Sequence, residues 1–230
     1  MAKSASGRRS IRSFVRRAGR ITPAQARALR ELWPHFGIDF SPALLNLDEV
    51  FGRSADKVLE IGFGDGEALV RDAAFQPETD FLGVDIHEPG VGRCLMAADD
   101  LGLTNLRVIM HDAAEVLRDQ IEDGAFSRVH VYFPDPWPKK RHHKRRLIQA
   151  AFLELVAGKL ESGGILHIAT DWENYAEHID DVIDRSPAFT LAERLVHDGD
   201  HPAPGRQTTK FERRGLKMGH RIWDWCLRKN

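Results

Sequence analysis

Two cysteines in 230 residues, Cys94 and Cys226, are too few for a disulfide framework or a cysteine-based zinc site, and such sparse use suits a reducing compartment. No run approaches the roughly 20 apolar residues that span a bilayer, and no apolar stretch near the N-terminus could form a signal-peptide core. These absences make a soluble, cytoplasmic protein without membrane partners the expectation. Internal repeats and low-complexity tracts are missing too, and 42% hydrophobic with 29% charged residues excludes wholesale disorder, collagen and coiled coil. The length suits one large domain, or one with appendages.

The charge that is present is segregated, although the net value is only −1. Residues 1–20 carry seven Lys/Arg and no Asp/Glu, residues 139–146 six and none, and residues 206–230 eight against two. An acidic body with three basic patches points to a polyanionic partner. Solvated charged faces are the plainer alternative, which explains one such run better than three. The first segment, with Arg8, Arg9, Arg12, Arg16, Arg17 and Arg20 among serines, has the composition of a mitochondrial transit peptide and equally of an RNA-binding arm. From Pro23, a good first helical residue, Ala26, Leu29 and Trp33 mark a short helix that ends before Pro34 and acts as a lid or brace.

After Gly52 the pattern becomes regular. β-rich runs at Val58–Ile61, Phe81–Asp85, Leu106–Met110, Val129–Phe133 and Ile165–Ala169 alternate with helical stretches near 67–74, 91–101, 113–119, 144–160 and 173–184. Alternation of this kind implies a parallel sheet with helices on both faces. Two further runs, Thr190–Val196 and His220–Leu227, would close it at seven strands. Between them, His197–Gly219 is rich in Gly, Pro and charge, and connections of that length are usually functional or disordered.

At the end of the first of these strands stand Leu59, Glu60, Ile61, Gly62, Phe63, Gly64, Asp65 and Gly66. Gly62, Gly64 and Gly66 allow a sharp turn and a close ligand approach at a helix N-terminus. The run is not a dinucleotide fingerprint, because Glu67 occupies the sixth position from Gly62, and no Lys-Ser/Thr pair completes a phosphate-binding loop. Glu60 disfavours a phosphate neighbour and suits a cationic or zwitterionic ligand. Asp85 and Asp112 end the next two strands, so the three carboxylates should converge on one crevice. Asp85 could accept both hydroxyls of a ribose, Asp112 an adenine edge, and Glu60 a methionine ammonium. The set resembles the S-adenosyl-L-methionine site of Rossmann-like methyltransferases; the plain alternative is that each acid caps the helix after it.

The fourth strand runs into Phe133, Pro134, Asp135, Pro136, Trp137, Pro138, Lys139 and Lys140. Two prolines fix the backbone around Asp135, which could accept from a base N–H edge and favour a cationic product. This segment, the Glu60–Gly66 turn, Thr170-Asp171, the Thr209, Lys210, Phe211, Glu212 run and the Arg12–Arg17 block together resemble the tRNA (guanine-N7)-methyltransferase family over nearly the whole chain. The resemblance implies a Rossmann-like methyltransferase fold, mostly parallel and seven-stranded, over 51–230, with 1–50 as a basic arm and helix. It implies S-adenosyl-L-methionine as cofactor, tRNA as partner and the variable-loop guanine as target. Glu60, Gly62, Gly64, Gly66, Asp85, Asp112 and Asp135 would line the cofactor site, Asp135 would also be catalytic, and Lys139, Asp171, Thr209, Lys210, Phe211 and Glu212 would contact substrate. Residues 8–20 then become an RNA-contacting arm.

His142 and His143 lack further ligands at metal spacing and sit in a basic run, so phosphate contact is expected there and no metal. No obligate protein partner is implied, and a homodimer stays open. Two other readings remain: a methyltransferase acting on an exocyclic amine or a protein amide, and a noncatalytic tRNA-binding protein.

Overall fold

A computed structural model describes residues 20–199 and 205–230. The Arg12–Arg17 block, the 8–20 arm except Arg20, and residues 200–204 of the long connection lie outside the described residues. The strands are β1 Gly37–Ile38, β2 Lys57–Ile61, β3 Asp80–Val84, β4 Leu106–Ile109, β5 Phe126–Tyr132, β6 Leu160–Thr170, β7 Phe189–His197 and β8 Ile222–Lys229. The helices are α1 Pro23–Glu31, α2 Trp33–Phe36, α3 Leu47–Phe51, α4 Glu67–Phe75, α5 Glu88–Asp100, α6 Ala113–Asp119, α7 Ala150–Lys159, α8 Glu173–Asp184 and α9 Lys210–Lys217, with a 3₁₀ turn at Lys140–Arg145.

All strands form one sheet in the order β1-β4-β3-β2-β5-β6-β8-β7, parallel except at β8, which runs antiparallel to both neighbours. The seven expected strands are all present. The eighth, β1, pairs two residues with Val108 and Ile109, too short a stretch to leave a period in the sequence. Chain order reverses between β2 and β5, which puts a crevice outside their carboxyl ends.

Alternation along the strands divides the core. Leu59, Ile61, Val129, Val131, Leu166, Ile168 and Trp225 face one way, onto Val116, Leu153, Val156, Tyr175 and Ile179 of α6, α7 and α8. Val58, Phe81 and Val108 face the other way, onto Leu69, Val70, Val91 and Leu95 of α4 and α5. Burial on both faces is why these strands read as apolar runs.

Three local features depart from the sequence reading. The N-terminal helix ends at Glu31 and a separate turn of helix starts at Trp33, with Pro34 near its start where a missing N–H costs nothing. The stretch expected to be helical from 144 begins only at Ala150, because Arg146 is drawn inward out of the helical path. Within the long connection, α9 forms behind a capping box in which the Thr209 hydroxyl and the Glu212 carboxylate each accept from the other's backbone N–H.

Candidate functional site

The turn after β2 has positive φ at Gly62, Gly64 and Gly66 (75°, 62° and 76°), a conformation that side chains bearing Cβ resist. Space around Gly62 is open, with nothing within 4 Å of where a Cβ would stand. Asp85 ties the turn to β3: one carboxylate oxygen accepts from the Gly64 N–H at 2.7 Å, the other from Ile86 and His87 at 2.6 and 2.8 Å. Helix α5 presses on the same turn, since a Cβ on Gly90 would stand 2.1 Å from the Gly64 carbonyl oxygen.

Glu60 lies in mid-sheet, opposite Gly83 and His130, on the face that carries Val58. It is 4% exposed, and its Oε2 has no hydrogen-bond partner among the described residues. Burial, then the charges of Asp72 and Asp85, push its carboxyl up to about 8. A buried, unpaired carboxyl beside an open glycine turn fits an incoming cation. Asp112 caps α6, its Oδ1 accepting from the Ala114 N–H at 2.9 Å, as the plain alternative had it. Beside it, His111 pairs with Glu115 at 2.6 Å and stacks on Phe40.

Across the crevice, the loop after β5 is held in a strained shape. Phe133 and Trp137 both have positive φ (52° and 45°), rare for bulky residues, on either side of Pro134-Asp135-Pro136. Arg146 pins the loop from beneath: its Nε donates to the Pro136 carbonyl at 2.9 Å, and both Nη groups donate to Asn174. Arg146 is therefore buried, not part of the exposed basic face that the 139–146 run suggested. Asp135, Lys139, Lys140, Arg141 and Lys144 are exposed. His142 meets the Trp137 ring edge-on, and Arg145 lies over that ring at 5.0 Å. Partial desolvation, then Arg141 and Arg145, lower the His142 imidazole below its ordinary range.

Helix α9 closes onto the glycine turn. Lys210 donates to Asp65 at 3.2 Å, Arg213 to Glu67 at 2.6 Å, and the Phe211 ring lies 3.5 Å from where a Cβ on Gly64 would stand. Lys210 is thus paired within the protein, although still largely exposed. Glu212 is wholly buried and accepts from Arg206 and from the Thr209 N–H, so direct contact with a substrate would require these bonds to open. Its partner is thus Arg206, six positions before it, and not the adjacent Arg213, which pairs with Glu67. Asp171 Oδ2 lies within hydrogen-bond distance of His220 Nδ1, at 3.0 Å, and Gly215 of α9 packs against it so closely that a Cβ there would meet Oδ2 at 2.7 Å. Asp171, Trp172, His220, Arg221 and Trp223 line a cleft of ≈ 390 Å³ at the end of β6.

The structure therefore gathers Glu60, Gly62, Gly64, Gly66, Asp85, Phe211 and Lys210 around one turn. Asp135, Lys139 and Asp171 follow the neighbouring strands β5 and β6. Arg146, Arg206, Gly90 and His220 were not singled out by sequence reasoning. Thr209-x-x-Glu212 is itself a capping-box signature that would have revealed α9. Among the described residues, no helix is long and apolar enough to cross a membrane.

The profile of a protein family described as "Putative methyltransferase" matches residues 54–225. A curated "tRNA (guanine-N(7)-)-methyltransferase" of Shewanella sp. (strain W3-18-1) is 54% identical over 219 residues, 94% of this chain and 90% of the relative. Another of the same name, from Alkalilimnicola ehrlichii, is 53% identical over 232 residues, 99% of this chain and 96% of the relative. A solved mutant of the 16S rRNA (adenine(1408)-N(1))-methyltransferase of Catenulisporales acidiphilia, with its cosubstrate SAM, is similar in fold: TM-score 0.53 at 16% identity, covering 80% of this chain and 92% of that one.

Proposed function

This chain belongs to the tRNA (guanine-N(7)-)-methyltransferase family, and from that membership we propose how its own residues carry a methyl group from S-adenosyl-L-methionine to guanine N7 in tRNA. When bound, S-adenosyl-L-methionine supplies a methyl group on a cationic sulfur. The Glu60 carboxylate, unpaired at Oε2, holds the ammonium of the methionine moiety directly or through water. Asp85 retains lone pairs for ribose hydroxyls beyond those its backbone partners use, and the second oxygen of Asp112 serves the adenine side. The positive-φ glycines let the backbone approach.

Guanine N7 has an in-plane lone pair and loses no proton on methylation, so the transfer needs no strong base. Asp135 acts by position and charge: held between two prolines, it accepts from the base and favours the cationic product. Asp171, steadied by His220 and Gly215, reads the guanine N1–H and exocyclic amine at the cleft. Lys139 and its exposed neighbours meet phosphates, with the 8–20 arm as a second RNA contact. The target is the variable-loop guanine, brought within reach by local opening of the RNA. The protein works in the cytoplasm without an obligate protein partner.

What carries the reading is the pairing of two features across one crevice: a glycine turn beside an unsatisfied buried carboxyl, and an acid locked between prolines. The test is transfer of labelled methyl to bulk tRNA, with the product nucleoside identified by mass and compared with tRNA whose variable-loop guanine is replaced by adenine. Label in 7-methylguanosine that vanishes with the replacement is expected. Label that survives it would move the target elsewhere in the tRNA.

A further inference from the structure

We propose that Arg206 is a positioning residue for methyl transfer: it holds α9 over the glycine turn and braces Phe133 where the chain enters the Asp135 loop. The proposal rests on the reading above, in which both segments belong to one site.

The Arg206 guanidinium is fully buried between two acids from different elements. Its Nε and Nη2 donate to the two carboxylate oxygens of Asp224 on β8, at 2.6 and 2.9 Å. Nη1 and Nη2 donate to Glu212 of α9 at 2.5 and 3.2 Å. Asp224 is itself fixed by His167 of β6 at 3.0 Å. The flat face of the same guanidinium lies over the rings of Tyr132 and Phe133, 5.6 and 5.7 Å from their centroids.

These interactions form a continuous path. It starts at the sheet, passes through Asp224 and Arg206 to Glu212, and there closes the capping box of α9. From α9 it reaches the glycine turn through Phe211, Lys210 and Arg213. A branch through Phe133 reaches the residue whose positive φ begins the Asp135 loop. Stability alone would not select this arrangement, since buried ion pairs are often matched or bettered by apolar packing. What the planar fork supplies is geometry: five donors in fixed directions set two carboxylates and two rings relative to one another. A lysine has one donor centre and cannot span both acids with the same register. The cofactor-site acids Glu60 and Asp85 make no hydrogen bond to Arg206.

The test compares Arg206→Lys and Arg206→Gln with the parent in the full chain. Hydrogen exchange of the Arg213–Met218 amides is followed by mass spectrometry without ligand, and kcat and the dissociation constant for S-adenosyl-L-methionine are measured separately. Exchange in α9 is expected to quicken while β2 and β5 stay as protected as in the parent. In the same variants kcat falls at least about tenfold, with cofactor affinity held within about threefold. Unchanged α9 exchange in a folded Arg206→Lys protein would overturn the proposal, as would exchange that rises uniformly over the sheet. Should Arg206→Gln fail to fold, Arg206→Lys and Asp224→Asn are judged by the same criteria. A parent that made no 7-methylguanosine would defeat the functional reading, and this proposal with it, whereas a productive parent with unchanged kcat in Arg206→Lys would overturn this proposal alone.

Discussion

Glu60 is a buried side chain whose proposed part in binding opposes its contribution to stability. Its carboxyl is raised to about 8 from an ordinary 4.5, chiefly by burial. The neutral form is therefore the one the fold prefers: its contribution to stability is complete below about pH 4.5 and is lost as pH climbs through about 8. Glu60→Gln should accordingly melt at the parent's temperature near about pH 5 and above it at about pH 9, by roughly 2–4 °C per kcal/mol relieved. A melting difference independent of pH would contradict that sign. Binding makes the opposite demand, since an ammonium needs the carboxylate. Calorimetry at about pH 6.5, in two buffers of unlike ionisation enthalpy, should find proton release on cofactor binding in the parent and less in Glu60→Gln. Equal release in the two would remove Glu60 from the ammonium contact. Asp135, exposed between its prolines, answers to a different measurement. Asp135→Ala should lower kcat by about 10²–10³, and full turnover in that variant, with cofactor affinity unchanged, would end its catalytic assignment.

The elements that build the site are set by contacts their own sequences only partly announce. Helix α5 was legible as a helix, but its start sits against the glycine turn because Gly90 leaves room for the Gly64 carbonyl. An added methyl there would meet that carbonyl at 2.1 Å and force the two segments apart, at a cost of about 1–3 kcal/mol. Gly90→Ala should weaken cofactor binding while leaving the far-ultraviolet circular dichroism as it was; unaltered affinity would show that the turn yields freely. Helix α9 is the converse case. Its capping box is written in Thr209-x-x-Glu212, yet the Gly, Pro and charge around it conceal the helix, and its docking depends on Asp65 and Glu67 in another part of the chain. The strands were the most readable elements, because a parallel sheet covered on both faces leaves nearly continuous apolar runs. Only β1, two residues long, left no trace.

Over the whole molecule, the opposition of an acidic body and basic segments predicts strongly salt-dependent tRNA affinity. Replacing Lys139, Lys140, Arg141 and Lys144 together with alanine should flatten the plot of log affinity against log salt by about 0.7–0.9 for each phosphate no longer neutralised. Arg206→Lys should leave that slope alone, because a fully buried guanidinium meets no phosphate. A slope indifferent to the fourfold replacement would place the RNA on another face. Apolar periodicity, glycine turns and prolines are local constraints, so the amino-acid order by itself determined the layered, mostly parallel fold and the glycine turn after β2, whereas the reversal of chain order between β2 and β5 came from the tertiary structure. Which charges serve the surface and which serve the interior was decided only by the tertiary structure. Arg146 and Arg206 read as members of basic runs and are buried braces, while Arg213 finds Glu67, 146 positions away. The reason is physical: the state of a charge depends on its desolvation and on the partner facing it, and both are supplied by chain segments that meet only on folding.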